Sequence, residues 1–278
     1  MISQSLQLLV DAGNTRVKWA LIAANLSVPT QLNSWLKHGS VLHKELPSLS
    51  SQIADAATRQ ISSIWISNVA GGEIQTLLIE QFTQIAPNAM IHYFRAQPEL
   101  AGITNTYAQP TQLGCDRFAS AIAARHLFPD QALLVVTCGT ATTIDAISAD
   151  ARFTGGMILP GLKLMAQSLA RNTAQLPEVP DPAAPQPLFA DNTQQAIING
   201  CISAQVGAIE RAYHGYHADL GHNLDPSLTN QKPTCIISGG AAPYLVPHLS
   251  IPIRLEDNLV LRGLAVVATA PANDVTAP

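Results

Sequence analysis

The strongest constraint on the fold is a local pattern that occurs twice. Leu8-Leu9-Val10-Asp11-Ala12-Gly13-Asn14-Thr15 and Leu134-Val135-Val136-Thr137-Cys138-Gly139-Thr140-Ala141 each run from an apolar stretch into a turn with glycine at the same offset. An alternating polar–apolar stretch follows each turn, 16–21 in the first case and 141–147 in the second, which is the period of a strand. Two readings fit this repetition: a duplicated domain with its break near residue 115, or one domain with two similar hairpins. Around the repeats the chain alternates strand and helix patterns. Strands are predicted over 62–69, 90–94, 152–159 and 234–238, and helices over 73–85, 116–128, 162–171, 192–213 and about 257–268. Asn192 is an N-cap candidate, and the tail from Pro271 is expected to fray. Five prolines between Pro177 and Pro187 mark a loop, taken as 174–191. The fold class is α/β.

Composition narrows the function classes. Of 278 residues, 47% are hydrophobic and 12% charged, against a usual charged share of about 25%. Such a chain buries a large core, which excludes global disorder. Fifteen Lys and Arg against 19 Asp and Glu give a net charge of −4, with no basic run, so direct nucleic-acid binding is not expected. Residues 1–5 carry no cationic stretch ahead of the first apolar run, and uncharged runs such as 131–144 are too short to cross a bilayer. A soluble, cytoplasmic protein is expected; Cys115, Cys138, Cys201 and Cys235 form no CxxC metal or redox pair, and with no export signal and ample length for a core they are expected as reduced buried thiols.

Four segments have the residue types that phosphate or acid–base chemistry needs. Asp11-Ala12-Gly13-Asn14-Thr15-Arg16-Val17-Lys18 combines a turn glycine that lets backbone amides approach an anion, a cation, and a carboxylate suited to Mg²⁺. An ordinary hairpin with Asp and Asn as turn formers reads the same way. Tyr107 to Arg117 contains Pro110 and Gly114, then Asp116-Arg117 opening a helix. That Asp is either a partner of the helix dipole or an acceptor for a hydroxyl proton, and Arg117 beside it offers a planar fork for carboxylate or phosphate. Thr140 to Asp145 supplies three hydroxyls and a carboxylate, though threonine is also good strand material. Ser238-Gly239-Gly240 carries a strand into a tight turn. No GxxxxGK[ST], GxGxxG or HExxH occurs, so a bound nucleotide would be held by hairpins. The histidines of 214–222 read as a solvated helix end and not as a metal cluster.

Taken in order, these pieces resemble the type III pantothenate kinases: Asp11 through Lys18, Tyr107 ahead of Gly114-Cys115-Asp116-Arg117, Gly139-Thr140-Ala141-Thr142-Thr143 with Asp145, Gly155-Gly156 to Pro160-Gly161, Leu176-Pro177, Asn192-Thr193 with Ala196 and Gly200, and Ser238-Gly239-Gly240. The likeness spans about residues 6–268. It implies two similar actin-like (ribonuclease H-like) domains, here 1–115 and 116–278, with nucleotide in the interdomain cleft, and it implies a homodimer. The implied reaction is phosphorylation of the 4′-hydroxyl of pantothenate by ATP, the first step of coenzyme A synthesis. Carried over by residue, Asp11 to Lys18 and Thr140 would bind ATP, with Asp11 toward Mg²⁺. Asp116 would accept the hydroxyl proton. Tyr107, Gly114, Cys115, Asp116, Arg117 and Thr193 would bind pantothenate, and 238–240 would lie near adenosine.

One position departs from the pattern. The family's second turn usually begins with Asp, similar in role to a ligand for a monovalent cation, and here that place is Thr137. A hydroxyl or carbonyl still coordinates K⁺ or NH₄⁺, without the anionic ligand. Two alternatives accompany the resemblance: an actin-like kinase of another small hydroxyl compound, and a regulatory accessory protein, since some relatives are associated with transcriptional activation.

Overall fold

The computed structural model describes residues 5–24, 35–54, 60–172, 188–223 and 232–270. In chain order the elements are β1 (Leu6–Ala12), β2 (Arg16–Ala23), β3 (Lys37–Leu42), α1 (Leu49–Ile53), β4 (Ile61–Asn68), α2 (Gly72–Ile85), β5 (Met90–Tyr93), β6 (Glu99–Leu100), β7 (Ile103–Asn105) and α3 (Cys115–Leu127). They continue as β8 (Leu133–Cys138), β9 (Ala141–Ile147), β10 (Arg152–Pro160), α4 (Leu162–Asn172), α5 (Thr193–Asn223), β11 (Thr234–Ser238), α6 (Ala242–Leu245), β12 (Ile253–Leu255) and α7 (Leu259–Thr269). Contacts divide the chain into two compact units. One comprises Met1–Pro129, Ala151–Phe153 and Asn258–Pro278, the other Asp130–Asp150 and Thr154–Asp257.

In the first unit the strand order is β3-β2-β1-β4-β5. β2 runs antiparallel to β1 and β3, while β4 is parallel to β1 and β5 to β4. Alternation sends Leu8, Val10 and Ala12 of β1 to one face with Trp19, Ile64 and Ile66. There they pack with Leu49 and Ile53 of α1 and Leu78 and Phe82 of α2. The helices α3 and α7 complete this unit. α7 packs on β1, β2 and β4 and against α3. It is buried almost along its whole length, which explains why its sequence is nearly continuous apolar residues.

The second unit repeats the plan. Its strands lie in the order β12-β11-β8-β9-β10, with β8 and β9 antiparallel, β11 parallel to β8 and β12 parallel to β11. Numbered from its own first strand, and with the second unit read from β10, each reads third, second, first, fourth, fifth. The duplication reading is therefore the correct one, and the architecture is the pair of similar actin-like (ribonuclease H-like) α/β domains that the resemblance implies. Leu134, Val136, Cys138, Cys235 and Ile237 face Ile198, Ile202, Ile209 and Tyr213 of the long helix α5.

The break is not where the sequence suggests. α3 belongs to the first unit and not to a domain starting at 116, because it packs against α7, which returns from the far end of the chain. The strand β10 also starts in the first unit, where Arg152 and Phe153 pair in parallel with Thr104 and Asn105 of β7. A second difference concerns α5. It continues past Tyr213 to Asn223, so 214–220 form helix interior and not a helix end. Gly215 does not interrupt the helix: a Cβ there would meet nothing within 4 Å, and the helix passes through it at only the entropic cost of glycine. No cluster of three or more His, Cys, Asp or Glu side chains that could hold a metal occurs among the described residues. The Pro-rich segment 174–187 and the tail from Pro271 lie outside the described residues. Asn192 does cap α5, its Oδ1 accepting the Gln195 N–H at 2.9 Å. All four cysteines are free. No helix among the described residues is long and apolar enough to cross a membrane.

The α3–α7 contact is a backbone approach. A Cβ placed on Gly263 of α7 would lie 1.9 Å from the carbonyl oxygen of Ala119 in α3. Gly263→Ala is expected to destabilise the protein by about 3 kcal/mol or more in urea unfolding, because the helices must separate. Gly207→Ala, in α5 where the added methyl meets nothing within 4 Å, is expected to be stabilising by about 0.5–1 kcal/mol.

Candidate active site

In the first unit Asp11 stands at the end of β1 and Asp116 and Arg117 at the start of α3. Asp11 is the penultimate residue of β1 and alternates to the face opposite Val10 and Ala12. In register it lies opposite Lys18 on β2 and Ser67 on β4. Its carboxyl is pushed up to about 7, first by burial and then by the nearby Asp116 carboxylate, with Lys18 opposing both. The Lys18 ammonium donates to Asn258 Oδ1 at 3.2 Å, and Asn258, at φ 55°, is the residue immediately before α7. The following turn is braced from outside. Gly13 N–H donates to the Arg16 carbonyl at 3.1 Å, and His43 Nε2 lies 2.8 Å from the Gly13 carbonyl oxygen. A carbonyl only accepts, so this nitrogen carries the proton. Asn14, Thr15 and Arg16 are exposed at the tip, as an anion-binding turn requires.

The start of α3 is tied to the neighbouring strand by Cys115. Ser67 Oγ donates to Cys115 Sγ at 3.3 Å, and the thiol donates to the Asn68 carbonyl at 3.6 Å. Burial raises the thiol's pKa above its ordinary value, so it serves here as a neutral hydrogen-bonding group. Because Ser67 is the register neighbour of Asp11, this tie brings the first turn of α3, with Asp116, to the end of β1. Burial also raises Asp116. The N–H of Arg117, donating to Oδ1 at 2.8 Å, and the guanidinium itself pull it back. Asp116 thus acts as a dipole partner of its helix while facing a second carboxylate. A Cβ on Gly114 would sit 2.7 Å from Asp116 Oδ1, so a larger residue here would displace that carboxylate.

Arg117 is only 7% exposed. Its Nη1 donates to Tyr107 Oη at 3.0 Å, and its Cζ lies 5.8 Å from the Tyr107 ring centroid and 5.7 Å from that of Phe153. The two rings meet edge to face at 5.7 Å. The Tyr107 loop is held by Asn105, whose Oδ1 accepts the Tyr107 N–H at 3.1 Å and whose Nδ2 donates to the Pro110 carbonyl at 3.0 Å. Tyr107, Gly114, Cys115, Asp116, Arg117, Asp11 and Lys18 are thus all residues of one unit.

In the second unit the equivalent turn is held by glycines instead of a histidine. Gly139 N–H donates to the Ala141 carbonyl at 2.9 Å, and Gly161 N–H to the Thr140 carbonyl at 2.9 Å. A Cβ on Gly161 would be 2.2 Å from Gly139 O, and one on Gly239 2.3 Å from Cys138 O. Gly239 also has φ +99°, a conformation that favours glycine. The segments 137–140, 160–161 and 238–240 therefore converge, leaving Gly139 and Thr140 exposed. Ser238, Thr137 and Thr143 are register neighbours across β11, β8 and β9, so their side chains form one row. Thr143 Oγ1 is buried without a hydrogen-bond partner. Asp145, two residues on along β9 and 1% exposed, shares that face. Thr193 stands exposed at the first turn of α5.

A family model described as type III pantothenate kinase matches residues 7–215. The chain belongs to the type III pantothenate kinase family. It is 48% identical to the type III pantothenate kinase of Herminiimonas arsenicoxydans, over 94% of this chain and 96% of the relative. It is 40% identical to that of Cupriavidus taiwanensis, over 96% and 99%. Among solved structures, a conserved putative Baf family transcriptional activator from Campylobacter jejuni matches with a TM-score of 0.54 at 21% identity, covering 94% of this chain and 96% of that one, a likeness of fold.

Several residues of this candidate site are silent in the sequence. His43, Asn258 and Ser67 act through single hydrogen bonds to partners far along the chain, which no spacing rule reports, and Asn105 acts by tying down its own loop through Tyr107 and Pro110. Phe153 reads only as a strand residue. Gly161 was visible as part of Pro160-Gly161, but its packing on the second turn was not. Asp11 yields the test. Its folded pKa of about 7 lies above the ordinary value of 3.8, so the folded protein holds the extra proton between these values and loses stability as pH rises through that window. Asp11→Asn is expected to remove this slope. In ligand-free thermal or urea unfolding it should raise stability at pH 8 by about 1–2 kcal/mol relative to pH 4.

Proposed function

We propose that the chain transfers the γ-phosphoryl group of ATP to the 4′-hydroxyl of pantothenate, as a cytoplasmic homodimer. Family membership supports the kinase reaction and its substrate. The observation that carries the residue assignment is the partly buried Asp116 at the first turn of α3, with Arg117 beside it and close enough to Asp11 to raise that carboxyl's cost of ionisation. Phosphoryl transfer passes through a loose transition state, so positioning and charge neutralisation supply most of the acceleration.

In this reading Asp116 accepts the hydroxyl proton of pantothenate. A weak base suffices because the proton leaves late, and burial moves its pKa in the direction that improves it as a base. Tyr107, Gly114, Cys115 and Arg117 bind pantothenate, with the guanidinium fork on its carboxylate, and Thr193 is assigned to the same substrate. Asp11 to Lys18 and Thr140 are assigned to ATP through their exposed glycine turns, and 238–240 to adenosine. The donor set fits Mg²⁺ at Asp11, whose buried carboxylate is costly to ionise without a cation. Mg²⁺ would neutralise phosphate charge there. A monovalent cation fits the row of Thr137, Thr143 and Ser238, where a buried hydroxyl oxygen has no partner.

Asp116→Asn is expected to keep its circular dichroism and thermal unfolding while losing about 10²- to 10⁴-fold in the ATP-dependent phosphorylation of pantothenate. Full activity in that variant would reassign the base. The same assay with K⁺, NH₄⁺ or Na⁺ as the only monovalent cation tests the hydroxyl row. Activity is expected with K⁺ or NH₄⁺, and a rate equal in all three, Na⁺ included, would remove the cation from the proposal.

A further inference from the structure

We infer that Phe153 is a positioning residue that sets selectivity for the anionic form of the substrate, by fixing the plane of the Arg117 guanidinium. The inference rests on the reading of Arg117 as the group that grips the substrate carboxylate. Three observations support it. Phe153 is fully buried, with its ring 5.7 Å from Arg117 Cζ and edge to face with the Tyr107 ring. Tyr107 holds the same guanidinium twice, through its ring at 5.8 Å and through Oη at 3.0 Å. The backbone of Phe153 is itself fastened to the Tyr107 loop, since its carbonyl accepts both the Thr106 N–H at 3.3 Å and Thr106 Oγ1 at 2.7 Å.

The physical need for such a cage follows from the sequence. Asp116 and Arg117 are adjacent, and the Arg stem is flexible, so the plane of the guanidinium has to be set by its other contacts. Two aromatic faces attract the cation, and they favour a planar group over an ammonium. They hold the fork in one plane, and a fork fixed in advance loses less freedom when a planar carboxylate docks on it. Phe153 contributes only a ring, so its effect reaches the substrate through Arg117. The carboxylate lies at the opposite end of pantothenate from the reacting hydroxyl, so the effect falls on substrate binding more than on the chemical step.

The test compares pantothenate with its primary amide, which keeps the 4′-hydroxyl and lacks the anion, in the wild-type protein and in Phe153→Leu, Phe153→Met and Phe153→Tyr. Phe153→Met stays close to the original volume and serves where Phe153→Leu loses its fold. Expected for Leu and Met is a rise of about tenfold in KM for pantothenate, with kcat, KM for ATP and KM for the amide all within about twofold. The preference for acid over amide then shrinks by about tenfold, and Phe153→Tyr, which keeps the ring, restores it. Equal changes for acid and amide, or a fall in kcat at constant KM, would mean that Phe153 only supports packing and would overturn the inference. A wild-type enzyme that phosphorylates pantothenate, with an acid preference unmoved by Arg117→Lys, would instead overturn the reading of Arg117 and the role of Phe153 with it.

Discussion

The contact between Gly263 and the Ala119 carbonyl determines where the chemistry of the first unit can stand. Only a helix pair in backbone contact lets α3 and α7 share the limited space over β1, β2 and β4. With α3 seated there, its first turn ends beside the last residues of β1 and β4. Cys115 then needs no more than two hydrogen bonds, to Ser67 and Asn68, to place Asp116 near Asp11. Asn258, one residue ahead of α7, holds Lys18 from the same frame. The acidic and basic groups are thus placed by packing first and by polar contacts second.

The two units solve one problem with different parts. Each must hold a glycine turn open at the end of its first strand. In the first unit a histidine side chain reaches the Gly13 carbonyl. In the second, Gly161 and Gly239 bring backbone directly against the turn, at distances no other residue would tolerate. The low charge content fits this plan. Few ionic side chains are available, and two of those in the first unit, Asp11 and Asp116, stand where burial raises their proton affinity.

Much of this was legible in the sequence because it depends on local pattern. The repeated strand–glycine turn–strand, the strands 141–147 and 234–238 and the helix from Asn192 follow from periodicity and capping within a few residues. Asp11, Lys18, Asp116 and Arg117 were visible because charged residues at glycine turns are rare in so apolar a chain. The rest depends on distant partners. The boundary near 115 was misplaced since α3 is claimed by a helix that starts at Leu259. The histidines of 214–222 read as a helix end because a glycine-containing stretch follows the pair at 214 and 217, whereas α5 runs through that stretch to Asn223. β3, β6, β7 and β12 are too short or too polar to show a strand period.

Because α7 comes from the end of the described chain yet closes the first unit's core, that unit is finished last although its strands are made first. On a ribosome, β1 to β5 emerge without the helix that covers them, exposing the face that α7 later buries. The second unit, bounded by Asp130 and Asp257, has all its strands before α7 is made. The order of folding is therefore expected to invert the order of synthesis, with the half that bears Asp116 the slower and more aggregation-exposed of the two.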